Sequence, residues 1–422
     1  MNDVVQGSSA LHISRALKAM LPLMAAIFVI AACRPADDVP DVVPITPTQV
    51  SIVEPSPQAI DPTPEATASA TVDEAGSLIG SPAPSIVDAT GWLNTGPITI
   101  EQFRGSVVLI DFWTYTCVNC IRTLPYLKEW HEKYEDQGLV ILGVHSPEFE
   151  FEKLLSNVAD AVERHGLQYS IAQDNQMGTW RAFRNSAWPA KYLIDAEGIV
   201  RYKHFGEGAY DETELAIRGL LDEAGASIGE IAVNPDAGPV PDAQAFASVE
   251  TGQTRELYAG FVRNFTAEFP YIANIEYYNV PAADLAFPYT DPGDHRNHFL
   301  YLHGTWKNGS ESVTHGRATE GFEDYVALNF YGTSANVVVD LEEGGEAFPV
   351  VVTLDGAPIP RALWGSDIEL DVEGRTIFRI DSARMYRIVE TSQYGGHELT
   401  LSANSDRFEV FAFTFGSYAS GP

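Results

Sequence analysis

Val107-Val108-Leu109-Ile110-Asp111-Phe112-Trp113-Thr114-Tyr115-Thr116-Cys117-Val118-Asn119-Cys120 is the stretch on which the fold turns. Its first four residues form an apolar run of the kind that makes a fully buried strand. From Cys120 to Gln137 the pattern is helical, with Ile121, Leu124, Leu127 and Trp130 at helical spacing and Gly138 as the stop. The two cysteines therefore lie where a strand hands over to a helix. A sulfur at a helix N-terminus meets unpaired N–H groups and the positive end of the helix dipole, which favours the thiolate. The thiolate is the form that attacks disulfides. With two residues between them, Cys120 can reach Cys117 on the first helical turn and resolve a mixed disulfide. A zinc site also uses this spacing, but it needs further ligands. The only other cysteine of the chain is Cys33.

Outward from this stretch, strands and helices alternate. Leu139–Val144 reads as a second buried strand and Glu150–His165 as a helix. Ala190–Asp195 and Ile199–Phe205 form two strands around the turn Ala196-Glu197-Gly198, and a last helix runs near Asp211–Ala224. This order predicts an α/β sheet with helices on its faces. His145 is expected to be a hydrogen-bonded structural histidine. Glu148 and Glu150 are expected at a solvated helix start, and Lys191 as a surface charge.

The chain has 422 residues and a formal charge of −32 from 58 acidic and 26 basic side chains. The length calls for two or three domains. The charge excludes a nucleic-acid partner, because phosphate binding needs clustered Lys and Arg. Three cysteines exclude a disulfide-stapled scaffold. Residues 1–33 read as an export signal, with Arg15 and Lys18 ahead of the apolar stretch Ala19–Ala32, which is shorter than the roughly 20 residues of a spanning helix. Ile30-Ala31-Ala32-Cys33 resembles a bacterial lipobox, which makes Cys33 the expected lipidation site and lipid anchor. Residues 34–78 hold 8 prolines, 8 acidic residues, one Arg and no aromatic, the composition of a disordered acidic tether.

The region 79–228 is then the first globular domain and 229–245 a linker, marked by Asn234-Pro235-Asp236-Ala237-Gly238-Pro239-Val240-Pro241. Beyond it, 246–422 carries 27 of the 46 aromatic residues and recurrent strand-like runs without a long helical period. An antiparallel β-sandwich is expected. Phe411, Phe413 and Phe415 alternate along one run and are expected on a single, core-facing side.

The run Asp111–Cys120 resembles the active-site stretch of thioredoxins, in their extracytoplasmic TlpA-like branch. Together with Leu124-Pro125-Tyr126-Leu127 and His145-Ser146-Pro147-Glu148-Phe149 it is most similar to the soluble C-terminal half of DipZ-type proteins. That resemblance implies a thioredoxin fold followed by a jelly-roll, carbohydrate-binding-module-like sandwich. It implies Cys117 as nucleophile, Cys120 as resolving thiol and Asp111 as a buried proton relay. Trp113 is expected beside the site. Trp188-Pro189 matches the cis-proline position that docks an extended substrate backbone, with Trp188 as a groove wall. The Cys117–Cys120 redox pair would serve without any metal or other cofactor. Expected partners are protein disulfide substrates, a CcdA- or DsbD-type membrane electron donor and a membrane reached through the anchor. The reaction expected is disulfide reduction outside the cytoplasm. The alternatives are a peroxiredoxin-like peroxidase, copper delivery, or a lipid-anchored glycan- or protein-binding module with secondary redox activity.

Overall fold

In the computed structural model of the chain, the described residues are 77–229, 231–233, 240–241, 245, 248–266, 269–279 and 283–420. The signal, Cys33 and all but the last two residues of the tether lie outside them. The apolar run around Asp111 becomes β2 (Val107–Trp113), all seven residues of which are buried. It lies between two neighbours. β3 (Leu139–His145) runs parallel on one side and β5 (Ala190–Ile194) antiparallel on the other. With β1 (Gly91–Leu93), β4 (Ser170–Gln173) and β6 (Val200–Phe205) the sheet order is β1-β4-β3-β2-β5-β6.

Helix α1 (Val118–Tyr134) buries Leu124, Leu127, Trp130 and Tyr134 against this sheet. Gly138, at φ +97°, ends the short turn that follows, a left-handed conformation that suits a residue without Cβ. α2 (Leu155–His165), α3 (Gly178–Ala182) and α4 (Tyr210–Glu223) complete the domain. The helix expected from Glu150 is shorter than its apolar pattern implies. Glu150–Lys153 is a 3₁₀ turn, Leu154 is extended, and α2 begins only at Leu155. The short elements β1, β4 and α3 were not expected, because three to five residues carry too little periodicity.

The second domain is an antiparallel β-sandwich. Asp324–Asp340 and Arg384–Ala403 are single long strands that pair with each other. Register shifts at Gly332/Ser334 and Ala335/Asn336 interrupt that pairing. The first half of the strand Asp324–Asp340 pairs with Leu300–Asn308, and its second half with Glu409–Gly416. Part of the expected linker is also paired: Val240–Pro241 lies antiparallel to Tyr418–Ser420.

The expectation that Phe411, Phe413 and Phe415 share one side is wrong, and the reason is a β-bulge. Val338 pairs with Ala412 but Val339 pairs with Val410, so Phe411 is an extra residue in its strand. Phe413 and Phe415 stay in the sandwich core. Phe411 turns to the outer face and joins the core of the first domain with Ala412, Val338 and Met385. There its ring meets Phe149 at 5.2 Å and Phe151 at 4.7 Å, both edge to face. A polar tie stands on the other side of α1. Arg122 lies 4.8 Å over the Tyr418 ring, and Glu207 binds both the Arg122 guanidinium and the Tyr418 hydroxyl. Phe411→Ala should therefore cost about 3–5 kcal/mol in urea unfolding, in the range of a buried Phe truncation.

Candidate redox site

The N-terminus of α1 fixes the first sulfur. Cys117 is the N-cap residue, half-buried, and its Sγ accepts the backbone N–H of Cys120 at 3.2 Å. Cys120, one helical turn on, is 1% exposed. Both thiols are free. The placement gives one reachable sulfur and one sealed sulfur in contact range of each other. Burial pushes the Cys120 thiol well up, and neighbouring Cys117 adds to the shift.

Near the sulfurs lie two buried titratable groups. Asp111 on β2 stands opposite Lys191 on β5, and both side chains are fully buried. Neither carboxylate oxygen of Asp111 and not the Lys191 Nζ has a hydrogen-bond partner among the described residues. Burial raises the Asp111 carboxyl to about 7, and the Lys191 ammonium pulls it only part of the way back. Burial likewise lowers Lys191, against the pull of Asp111 and Cys120. The expectation of Lys191 as a surface charge is thus overturned. Period-two alternation puts it on the same side of its strand as Pro189, facing α1 instead of solvent.

His145, fully buried, meets Thr114 at 3.3 Å and packs on the rings of Trp113 and Tyr115. Its imidazole is lowered to about 3 by burial, as for a neutral structural histidine. Trp113 is 1% exposed and belongs to the core behind the cysteines, so its side chain forms no groove wall. Trp188 does line the groove beside Cys117. Its indole N–H donates to the Ser146 carbonyl at 3.0 Å, and its peptide bond to Pro189 is cis.

Two carboxylates were misjudged or missed. Glu150 is exposed, as expected of a solvated position, but the Glu148 side chain is only 7% exposed. It pairs with Arg263 at 2.7 Å and accepts from the Tyr258 hydroxyl at 2.9 Å, both residues of the sandwich. Glu152, unremarked in the sequence, is fully buried. It accepts from the Thr116 hydroxyl and from the backbone N–H groups of Glu148 and Phe149, which ties the loop before Cys117 to the loop after β3. Burial first, then Glu148, raises it to about 7. Its signal in the sequence is a lone Glu among aromatics, which is too weak to interpret.

The groove at Cys117 has a volume of about 490 Å³ and two walls. One is Cys117–Asn119 with Glu148 and Trp188. The other belongs to the second domain: Gln253, Thr254, Arg255, Glu256, Tyr258, Arg263, Thr414 and Phe415. Sequence reading offered no sign of that second wall.

Comparison with known proteins agrees with this geometry. Residues 79–203 match the AhpC/TSA family, and residues 272–416 match the thioredoxin-like C-terminal domain family. Protein DipZ of Mycobacterium tuberculosis is 36% identical over 339 residues, which is 79% of this chain and 43% of DipZ, so the chain spans less than half the length of that relative. The thiol-disulfide oxidoreductase YkuV of Bacillus subtilis is 30% identical over 143 residues, 34% of this chain and 95% of YkuV. The thiol-disulfide oxidoreductase ResA of Geobacillus thermodenitrificans is 34% identical over 123 residues, 29% of this chain and 67% of ResA. With a cysteine pair seated at the head of a thioredoxin-fold helix and relatives of this kind, the chain belongs to the thioredoxin-like thiol–disulfide oxidoreductases.

Proposed function

We propose that the protein is a membrane-anchored, extracytoplasmic reductase of protein disulfides. The observation that carries this is the inequality of the two sulfurs: Cys117 opens to a groove, while Cys120 is sealed above a buried carboxyl. Cys117 thiolate attacks one sulfur of the substrate disulfide, the substrate S–S bond breaks, and the first substrate thiol leaves with the proton that Cys117 gave up. Cys120, whose raised pKa keeps it protonated until needed, passes its proton to Asp111. A group near pH 7 suits that exchange at neutral pH. The Cys120 sulfur then attacks Cys117, the mixed disulfide breaks, and the second substrate thiol leaves with the proton held by Asp111. Two electrons pass from the cysteine pair to the substrate, and the pair ends as a disulfide. No metal or added cofactor enters these steps.

Re-reduction of the pair falls to a membrane dithiol carrier of CcdA or DsbD type, in keeping with the DipZ resemblance. The anchor assignment rests on Cys33 and its lipobox-like surroundings. Among the described residues no helix is long and apolar enough to cross a membrane.

Cys120→Ser should accumulate mixed disulfides through Cys117, seen on non-reducing gels, and Cys117→Ser should trap none. If neither variant traps protein and the wild type does not reduce insulin, the enzymatic reading fails. The measured reduction potential should fall near the roughly −270 mV of thioredoxin, and a value near the about −120 mV of strong oxidants would overturn the reductase direction. Asp111→Asn should slow resolution of a preformed mixed disulfide by about 10²-fold at pH 7 in stopped-flow fluorescence. In the wild type the Asp111 carboxyl should titrate near 7 in ¹³C spectra. Lys191→Met should move that midpoint upward, because it removes the one charge that stabilises the carboxylate.

A further inference from the structure

The wall that the sandwich gives to the groove contains a cation that forms no ion pair among the described residues. Glu148 is paired with Arg263. Glu256 shares the Tyr258 hydroxyl with Glu148, at 2.7 and 2.9 Å. Burial, with the Glu148 charge added, raises Glu256, and no ion pair joins it to Arg255 among the described residues. Arg255 remains. Its guanidinium is braced on the faces of Phe269 at 4.3 Å and Tyr271 at 4.6 Å. Its Nε and one Nη are enclosed without a hydrogen-bond partner among the described residues. A guanidinium packed over two rings and lining the groove is suited to a carboxylate. On a chain of net charge −32, a cation without an ion pair among the described residues, in the groove that Cys117 also lines, is a local exception.

The shape of the groove limits what can bring that carboxylate. Residues 253–256 lead into Leu257–Tyr258, the strand at one end of the sandwich sheet, and face Trp188 and the start of α1. A slot of about 490 Å³ between the two walls has the size of a small-ligand site. That size suits a few residues of extended chain better than the surface of a folded domain.

We propose that the second domain sets the specificity of the redox site, with Arg255 binding an acidic side chain that flanks the reacting cysteine in an extended segment of substrate polypeptide. This rests on the reductase reading above and names its substrate class.

The test uses the full chain, reduced with dithiothreitol and desalted. The substrates are two short peptides, each with one cysteine in mixed disulfide with 2-mercaptoethanol and flanked by either Glu or Lys. The ratio of single-turnover second-order rate constants, Glu peptide over Lys peptide, should fall about tenfold in Arg255→Gln, the loss of one charge-assisted contact. Arg255→Lys, which keeps the charge, should restore much of it, as a merely structural role would not. An unchanged ratio in Arg255→Gln overturns the proposal. Free cystine is a further arm. If it reacts as fast as the Glu peptide and loses the same factor in Arg255→Gln, a small carboxylated disulfide is the ligand and the polypeptide assignment is overturned. Failure of the wild type to reduce hydroxyethyl disulfide at all refutes the reductase reading itself, which separates the two failures.

Discussion

The apolar seam between the two sheets is the contact on which the rest of the structure depends. Phe411 of the sandwich meets Phe149 and Phe151, and one continuous core runs from α1 and β2 through to Val338, Met385 and Ala412. Burial of aromatic area is the largest favourable contribution available to such a junction. Glu148 with Arg263 and Tyr258, and Glu207 with Arg122 and Tyr418, flank the seam and fix orientation more than they add free energy, because partly buried ion pairs gain little over their desolvation cost. The consequence is geometric. Cys117 looks across at a wall made by another domain.

Inside the first domain, desolvation outweighs Coulomb attraction. Asp111 and Lys191 face each other, which by itself would hold the carboxyl low, yet the carboxyl sits near 7 because burial is the larger effect. Neither group has a hydrogen bond among the described residues to repay its burial. A fold keeps such a couple at a cost in stability, and in the proposed mechanism the return is a proton site near Cys120. Glu152 shows the same balance with a different outcome: both of its oxygens accept hydrogen bonds, from Thr116 and from backbone N–H groups, so it braces the loop.

The legible parts of the sequence were those whose meaning is local. A cysteine pair after an apolar strand and before a helical period locates a redox site, and Trp188-Pro189 before a strand locates its neighbour. The burial of Lys191 and Glu148 was not legible, because it depends on which residues lie opposite. Lys191 answers to Asp111, 80 positions earlier, and Glu148 to Arg263, 115 positions later. The same holds for Arg255 and Glu256, which sit in a run without motif and gain meaning only when the sandwich docks. Phe411 was misplaced for another reason. Strict alternation is a good rule for a regular ladder, and a bulge breaks it by one residue while leaving the sequence looking regular.

That single extra residue also makes chain length in this strand a matter of phase. Shortening the strand by one residue at the bulge would restore strict alternation and leave the outer face with one large side chain fewer where the two sheets meet. Lengthening it by one elsewhere would shift every side chain on one flank to the opposite face. Insertion or deletion between Glu409 and Gly416 is therefore penalised, because arithmetic parity there decides which side chains reach the first domain.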